Sequence, residues 1–245
     1  MTILALEFSS PQRSVAVLSS SWRNEPCESH SFSVPGNGGT RITRPSEGVI
    51  FEAIETGGQS TRAFSMIEKV LAEAKIEREQ IDVIAIGLGP GSYTGIRVAL
   101  SLAQGWQLAS RHGGMKLLGI SSAEGVAAQA QAEKISGRVN VVIDAQRNEF
   151  YLAAYEISAA GRKEVEPLRI LTRAEVESRA GAKEMLIGPE VTRWFPNGRR
   201  VFPRAAVLGQ LALSRSDFVA GDKLEPIYLR ETNFVKAPPS RRIAT

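Results

Sequence analysis

Short apolar runs and helical patterns follow one another along the chain. Ile3–Phe8 and Ser14–Leu18 flank a polar turn, which predicts a β-hairpin, and Val49–Ile54 is a further strand candidate. Thr61–Ala74 carries apolar residues at three- and four-residue spacings, which predicts a helix. Asp82–Gly87 is a continuous apolar run, typical of a strand that is buried on both faces. These segments predict an α/β protein.

The same kinds of pattern continue to the end of the chain. The further strands predicted are Glu28–Val34, Leu117–Ile120 and Met185–Gly188. The further helices predicted are Gly95–Ser110 and Ala205–Ala220, with capping boxes at Ser121–Glu124 and Thr172–Glu175 marking two more helix starts.

The first hairpin pattern returns about 137 residues later. Leu4–Val17 matches Val141–Ala154, and the match places Glu7 on Asp144, so that an acid ends a buried strand in both segments. Internal repetition is a stronger signal of architecture than local propensity. We therefore expect two duplicated halves.

Composition and charge exclude several classes of protein. The chain of 245 residues carries 30 Lys and Arg against 26 Asp and Glu, so its net charge of +4 does not by itself indicate a nucleic-acid partner. No apolar run approaches the length of about 18 residues that a membrane helix needs, and the start lacks the basic region of a secretory signal. A single cysteine, Cys27, excludes Cys-rich zinc modules. We expect a cytoplasmic protein that does not bind a membrane.

A glycine-rich turn between a strand and a helix is the main candidate site. Such a turn can bind an anion through its backbone N–H groups and the helix dipole. It lacks the lysine of a P-loop, the third glycine of a dinucleotide fingerprint and the flanking glycines of a nucleophile elbow. A tight turn without a ligand is the alternative. The anion-binding candidates here are Gly89, Gly91, Ser92, Thr94 and Gly95.

The two repeated acids are candidates for the same site. Glu7 with Ser9, and Asp144 with Gln146, could hold a metal ion or a water facing a nucleotide phosphate. The alternative is that each acid caps the turn that follows its strand.

Two other groups of residues have simple alternatives. Arg193–Arg204 mixes arginines with aromatic residues, as RNA-binding segments do, but a loop with its aromatics turned inward would have the same composition. Cys27 and His30 are three residues apart, and chance proximity explains them better than a catalytic pair. His30 and His112 share no ligand spacing.

The predicted helices Thr61–Ala74 and Gly95–Ser110 are apolar over more than one stripe. One stripe can cover a sheet, and the second needs a cover from the rest of the chain or from a partner protein. The interface candidates are Phe64, Ile67, Val70, Leu71, Ala99, Leu102, Ala103 and Trp106.

Several segments resemble the TsaB (YeaZ) family. The most specific is Leu88–Arg97, reading LGPGSYTGIR, supported by Glu7–Ser10, Val142–Tyr151 and Pro226–Arg230, so that the resemblance covers the chain from Thr2 to about Arg230. Two features depart from the family pattern: Glu7 stands where the family often has Asp, and the Ser19–Gly48 region is longer than usual.

The resemblance implies an α/β protein with the actin-like, Hsp70-like ATPase (ASKHA) fold, built from two RNase H-like halves. It divides the chain into residues 1–114, residues 115–225 and an extended tail over 226–245. It also implies a non-catalytic scaffold or activating subunit that serves the formation of N6-threonylcarbamoyladenosine in tRNA, next to the anticodon.

The resemblance names partners as well. They are a TsaD-like catalytic subunit, a TsaE-like ATPase, tRNA through the complex, and a second copy of the chain when it is alone. TsaD-like enzymes hold a metal with a histidine pair, and the matching region of this chain has no histidine, so no metal is expected. No cofactor is firmly implied, and weak ATP-Mg or ADP-Mg binding is left open. The alternative is an ASKHA-fold enzyme, either a small-molecule kinase or an M22-type peptidase.

Overall fold

The computed structural model describes residues 1–19, 40–43, 50–57, 62–110, 114–181 and 184–230. The sequence predictions that lie outside these residues are the strand Glu28–Val34, the pair Cys27 and His30, His112, and the end of the tail.

The first sheet contains six strands, in the order β3-β4-β2-β1-β5-β6. They are β1 (Thr2–Glu7), β2 (Gln12–Ser19), β3 (Thr40–Thr43), β4 (Ile50–Thr56), β5 (Val83–Gly87) and β6 (Lys116–Ile120). The predicted hairpin is confirmed, since β1 pairs antiparallel with β2. β5 lies parallel to β1 and β6 lies parallel to β5. Every residue of β5 is buried, as its continuous apolar run predicts.

Helices cover both faces of the first sheet. α1 (Ala63–Ala74) and α2 (Tyr93–Ala109) form one core with alternate residues of β1, β2 and β5. The opposite face is covered by α5 (Ala205–Leu213), which comes from the far end of the sequence. The residues of β1 therefore divide between two cores, and all six are buried.

The second sheet contains five strands, in the order β11-β10-β7-β8-β9. They are β7 (Gly137–Asp144), β8 (Glu149–Ser158), β9 (Gly161–Thr172), β10 (Met185–Gly188) and β11 (Arg199–Arg200), accompanied by α3 (Ser122–Ala132) and α4 (Arg173–Gly181). Short 3₁₀ helices occupy Arg78–Gln80, Val191–Arg193 and Gly221–Lys223.

The two sheets confirm the predicted duplication. β9-β8-β7-β10-β11 repeats the order of β4-β2-β1-β5-β6. The first three strands of each series pair antiparallel, and the last three pair parallel. An α/β architecture with two halves of the same topology follows directly from this pairing.

Several predicted boundaries differ from the structure. α2 begins at Tyr93, because Ser92 is its N-cap and accepts a hydrogen bond from the Gly95 N–H at 3.3 Å. The prediction for the last helix is wrong in its extent, because α5 ends at Leu213 and the Val219 N–H bonds to the Leu117 carbonyl at the edge of β6. The backbone around Val219 is therefore extended, since it forms a β-bridge with Leu117.

The two predicted capping boxes have different outcomes. In the second box, the Thr172 N–H donates to Glu175 Oε2 at 2.7 Å and Thr172 Oγ1 accepts from the Glu175 N–H at 3.4 Å, as predicted. The first box marks a helix start correctly, since Ser121 is the N-cap of α3, but its side-chain capping is wrong, because the Ser121 carbonyl and not its hydroxyl accepts the Gly125 N–H. The predicted division after residue 114 falls before β6, which pairs with β5 in the first sheet.

No helix in the part of the chain that the structure describes is both long enough and apolar enough to cross a membrane.

A buried ion pair attaches α5 to the first sheet. Glu52 of β4 has a side chain only 1% exposed, and it binds Arg204, which precedes α5 and is 16% exposed. Glu52 Oε1 also accepts the Ala206 N–H at 3.1 Å, and Ser14 Oγ accepts the Ala205 N–H at 2.8 Å. Two side chains of the first sheet therefore cap the start of a helix from which they are separated by 154 and 191 residues in sequence.

We predict that Glu52→Gln lowers the free energy of unfolding by about 3 kcal/mol, because it leaves the Arg204 guanidinium buried without a counter-charge. The matched control is Glu177→Gln, which removes the exposed pair with Arg173 and should cost less than about 1 kcal/mol. Chemical denaturation of both variants measures the difference, and equal losses would contradict the structural role of the buried pair.

Candidate functional site

A cleft of about 330 Å³ lies where the turns of the two hairpins face each other. Ser9, Gly91, Ser92 and Asp144 line it, which brings together half of the predicted anion-binding residues. The other cleft residues are Ser10, Pro11, Arg13, Gly57, Ile143, Gln146, Pro189 and Glu190. Glu7, Gly89, Thr94 and Gly95 are not among its lining residues.

Glu7 is a fully buried carboxyl group beneath the first turn. Its Oε1 accepts the Ser9 N–H at 2.7 Å, and its Oε2 accepts the Ser122 hydroxyl at 3.0 Å. A Cβ added to Gly87 would lie 2.1 Å from Glu7 Oε2, so the carboxyl fills the space that this glycine leaves. Burial raises the pKa of Glu7, and the hydrogen bonds from Ser9 and Ser122 oppose that rise. The structure thus shows the turn-capping alternative.

Asp144 makes the same turn in the second half. Its Oδ1 accepts the Gln146 N–H at 2.7 Å, and the side chain is half-buried. This hairpin is one residue shorter, because Asp144 pairs with Phe150 whereas Glu7 pairs with Ser14. The shorter turn places three consecutive non-glycine residues, from Gln146 to Asn148, at positive φ. Such backbone is strained and often occurs at functional sites.

The glycine-rich loop packs tightly on the end of β1. A Cβ at Gly91 would lie 2.1 Å from the Ser9 carbonyl oxygen, and one at Gly95 would lie 2.0 Å from that of Phe8. Gly91 also has a φ of +147°, which side chains rarely adopt. The loop therefore needs glycine for a close approach of two backbones.

The amides of this loop bond within the protein. The Ser92 N–H donates to the Ser9 carbonyl at 2.7 Å, the Gly89 N–H donates to Ser122 Oγ at 3.1 Å, and the Gly95 N–H donates to Ser92 Oγ. Thr94 is exposed outside the cleft. These three amides, which were expected to donate to an anion, already donate hydrogen bonds within the protein.

Two residues of the site were missed by the sequence analysis. Ser122 joins Glu7 to Gly89, and its backbone N–H also bonds to the Gly89 carbonyl at 2.7 Å. Arg13 lines the cleft, and its Nε and Nη1 atoms are buried without a hydrogen-bond partner. Ser122 lies within the predicted capping box and Arg13 within the repeated hairpin segment, but neither pattern marks the residue as part of a site. The contacts that distinguish them come from segments remote in sequence.

A second, larger groove lies between α1 and α2, with a volume of about 990 Å³. Phe64, Ile67, Leu102 and Trp106 line it, and its charged lining residues are Glu68, Arg78, Glu79 and Asp82. Phe64 is 66% exposed, whereas Leu102 and Trp106 are half-buried.

Most of the predicted interface residues have another role. Five of the eight pack against the sheet as members of the first core and leave little or no surface for a partner: Ile67, Val70, Leu71, Ala99 and Ala103. The prediction that Ala99 and Ala103 belong to an interface is therefore wrong, since the sheet already covers both. The exposed surface belongs to Phe64, Leu102 and Trp106.

The Arg193–Arg204 stretch has its aromatics turned inward, as the structural alternative predicts. Trp194 and Phe195 pack edge-on against Phe150, with ring centroids 5.4 and 5.1 Å away. These rings belong to a core of the second half and are not presented to a nucleic acid.

Comparison with known proteins agrees with this geometry. The family model described as "TsaD: tRNA N6-adenosine threonylcarbamoyltransferase" matches residues 49–214, about two thirds of the chain. The chain belongs to this family, in its TsaB (YeaZ) branch. TsaB of Escherichia coli (strain K12), named a tRNA threonylcarbamoyladenosine biosynthesis protein, is 24% identical over 74% of this chain and 84% of its own length. The TsaB protein of Haemophilus influenzae is 34% identical over 38% of each chain.

Solved structures of the TsaB branch share the fold. YeaZ from Pseudomonas aeruginosa superposes with a TM-score of 0.70 at 24% identity, covering 93% of this chain and 99% of that one. A second Pseudomonas aeruginosa structure, described as similar to peptidase YeaZ, also gives a TM-score of 0.70 and covers 94% of this chain and 99% of its own. With the duplicated sheets, these matches confirm the ASKHA fold.

We predict that Gly95→Ala destabilises this TsaB-branch chain and lowers its melting temperature by several degrees, because the new Cβ meets the Phe8 carbonyl. Gly105→Ala is the matched control on the same helix, where a Cβ meets nothing within 4 Å and should stabilise by about 0.5–1 kcal/mol. Thermal unfolding followed by circular dichroism measures both. A Gly95→Ala variant as stable as wild type would argue against the close approach.

A second prediction concerns pH. Because the pKa of Glu7 is raised in the folded state, the unfolded chain loses this proton at a lower pH than the folded chain. The contribution of Glu7 to stability is therefore complete below about pH 4.5 and falls as the pH rises. The gap in stability between Glu7→Gln and wild type should move in favour of the variant as the pH rises from 4 to 7, because the amide does not titrate. Denaturant titrations across this range measure the gap, and a constant gap or the opposite trend would contradict the assignment.

Proposed function

We propose that this chain is a non-catalytic scaffold and activating subunit of a TsaD-like catalytic subunit, and that it takes part in forming N6-threonylcarbamoyladenosine in tRNA next to the anticodon. The observation that carries the proposal is the apolar groove between α1 and α2, together with the family to which the chain belongs. The names of its TsaB relatives supply the pathway.

The groove has the composition of a protein interface. Its apolar lining includes the aromatic rings of Phe64 on α1 and Trp106 on α2, together with Leu102 of α2. Arg78 lies 5.8 Å over the Trp106 ring and pairs with Glu68 at 3.4 Å, so charges surround the apolar centre. Aromatic residues in a pocket with a polar rim dominate the binding energy of many interfaces.

Support for a non-catalytic role comes from the first hairpin. Glu7, the acid that a nucleotide-dependent enzyme of this fold would present to its cleft, is buried and bonded to Ser9 and Ser122. The N–H groups of Gly89, Ser92 and Gly95 are bonded inside the protein as well. A ligand in the cleft therefore finds the Glu7 carboxyl and these three N–H groups already bonded within the protein.

The same groove serves the other proposed assemblies. Without a catalytic partner, two copies of the chain would cover the Phe64 and Trp106 surfaces across a two-fold axis. The homodimer and the heterodimer then compete for one surface. A TsaE-like ATPase and the tRNA join through the resulting complex, in a cytoplasmic setting.

We predict that Phe64→Glu weakens binding to the TsaD-like partner by at least tenfold and abolishes self-association, because a carboxylate would be buried in an apolar interface. The folded chain should keep its stability, since Phe64 is exposed in the isolated chain. The matched control is Leu108→Glu, which puts the same charge on an 87% exposed residue of α2 that does not line the groove. Calorimetry with the purified partner and sizing of each variant alone measure the two effects.

A Phe64→Glu variant that keeps both assemblies while remaining folded would place the interface elsewhere. Equal losses in the Leu108→Glu variant would show that charge anywhere on α2 disturbs assembly, and that the groove is not the contact.

One observation supports the alternative function, an ASKHA-fold kinase. The unpartnered guanidinium N–H groups of Arg13 in the cleft, with Ser9 and Ser92 beside them, suit an anion such as a nucleotide phosphate. Turnover of ATP-Mg by the purified chain alone, lost in Arg13→Gln and Asp144→Asn variants, would favour this alternative over a subunit that works only with its partner.

A further inference from the structure

Two tyrosines from distant parts of the chain meet on the surface beside the start of α2. Tyr93 is 55% exposed and Tyr228 is 50% exposed, and their ring centroids lie 5.8 Å apart at an angle of 30°. Backbone pairing holds the second ring in place, because the Ile227 N–H donates to the Leu88 carbonyl at 2.9 Å. Large aromatic side chains that meet while both stay half exposed form a surface suited to stacking.

Cations accompany these rings. The Arg97 guanidinium lies 5.0 Å over the Tyr93 ring and bonds to its hydroxyl, and it makes no ion pair with a carboxylate of the described residues. Arg230 donates to the Ala145 carbonyl at 3.0 Å and pairs with Glu149. Burial raises the pKa of Tyr228, Tyr93 and Tyr151 raise it further, and Arg97 lowers it. Burial also raises the pKa of Tyr151, and Arg230 lowers it.

These residues, Tyr93, Arg97, Tyr151, Tyr228 and Arg230, are called the tyrosine patch. Arg147 stands next to it, exposed in the strained turn that follows Ala145, and no ion pair joins it to the described residues. Glu149 pairs with Arg230, whereas Arg97 and Arg147 make no ion pair with a described residue.

We infer that the tyrosine patch binds unpaired nucleotides of an RNA, with a base stacked on Tyr93 or Tyr228 and a backbone phosphate at Arg97. Single-stranded nucleic acids are held by aromatic rings that stack on bases and by cations that meet phosphates. An arginine that already lies over a tyrosine can extend the stack. Within the proposed function, on which this inference rests, the RNA is the tRNA substrate, and this chain contacts it directly.

The tyrosine patch is separate from the groove of the proposed protein interface. On α2, Tyr93 and Arg97 are four residues apart and share one side, whereas Leu102 and Trp106 line the groove on another. The groove is apolar at its centre, and the patch combines phenol hydroxyls with a guanidinium that has no acidic partner. The Arg97 guanidinium, which has no acidic partner among the described residues and lies beside two exposed rings, favours RNA over an apolar protein partner.

The test is the affinity of the full chain for an unmodified, fluorescently labelled tRNA transcript, measured by anisotropy at several salt concentrations. A Tyr93→Leu/Tyr228→Leu variant should bind the transcript about tenfold more weakly, because stacking on each ring is lost. A Tyr93→Phe/Tyr228→Phe variant keeps the rings and should stay within about twofold of wild type. Arg97→Gln should lower the salt dependence by about one phosphate contact.

The matched control is Leu108→Ala, which shortens an exposed apolar side chain near the other end of α2, outside both the tyrosine patch and the groove, and should leave tRNA affinity unchanged. A fully paired RNA duplex with the same number of phosphates should compete poorly, because its bases are not free to stack.

Three results would overturn the inference: no binding of the transcript by the wild-type chain, equal binding by the leucine variant, or leucine variants that lose the catalytic partner while keeping their tRNA affinity. The last result would make the patch a protein contact. The proposed function is tested separately. If it is wrong, Phe64→Glu keeps its affinity for the catalytic partner, and the effect of the tyrosine substitutions on tRNA binding stays the same.

Discussion

The close approach of the glycine-rich loop to the end of β1 is the contact on which the first half of the molecule depends. The Phe8 and Ser9 carbonyls lie where side chains at residues 95 and 91 would otherwise be. This contact aligns α2 with the sheet, and the Ser122 hydroxyl extends the same network to the start of α3. One cluster of backbone and hydroxyl bonds thus connects β1, the loop and the helix that leads into the second sheet.

The two halves have diverged at the equivalent turns. In the first half, the acid is sealed by Gly87 and Ser122, and burial favours its neutral form. In the second half, Asp144 stays half-buried at the cleft and the strained turn after it projects Arg147 outward. Both halves have therefore kept the hydrogen bond from a turn N–H to the acid, although the first acid is buried in the packed interior and the second is not.

The patterns that the sequence shows well are local ones. The hairpins, β5, the box at Thr172 and the repeat were predictable, because period and turn composition depend on neighbouring residues. The extent of α5 was not, since the bond from Val219 to Leu117 that ends the helical run comes from a distant strand. The composition of α2 could not show which of its apolar stripes the sheet covers. Ala99 and Ala103 were therefore predicted at an interface, although they pack against the sheet. The meeting of Tyr93 with Tyr228 joins segments about 135 residues apart and leaves no pattern in either segment.

The position of α5 has a consequence for synthesis on the ribosome. Ile3, Ala5, Ala16 and Leu18 form one core with α5, so this face of the first sheet has no cover until about residue 213 has left the exit tunnel. Nascent chains present such apolar faces to chaperones and to one another. α5 therefore completes the first sheet late in synthesis: the strands of that sheet are made first, but one face is covered only after Ala205–Leu213 have been translated.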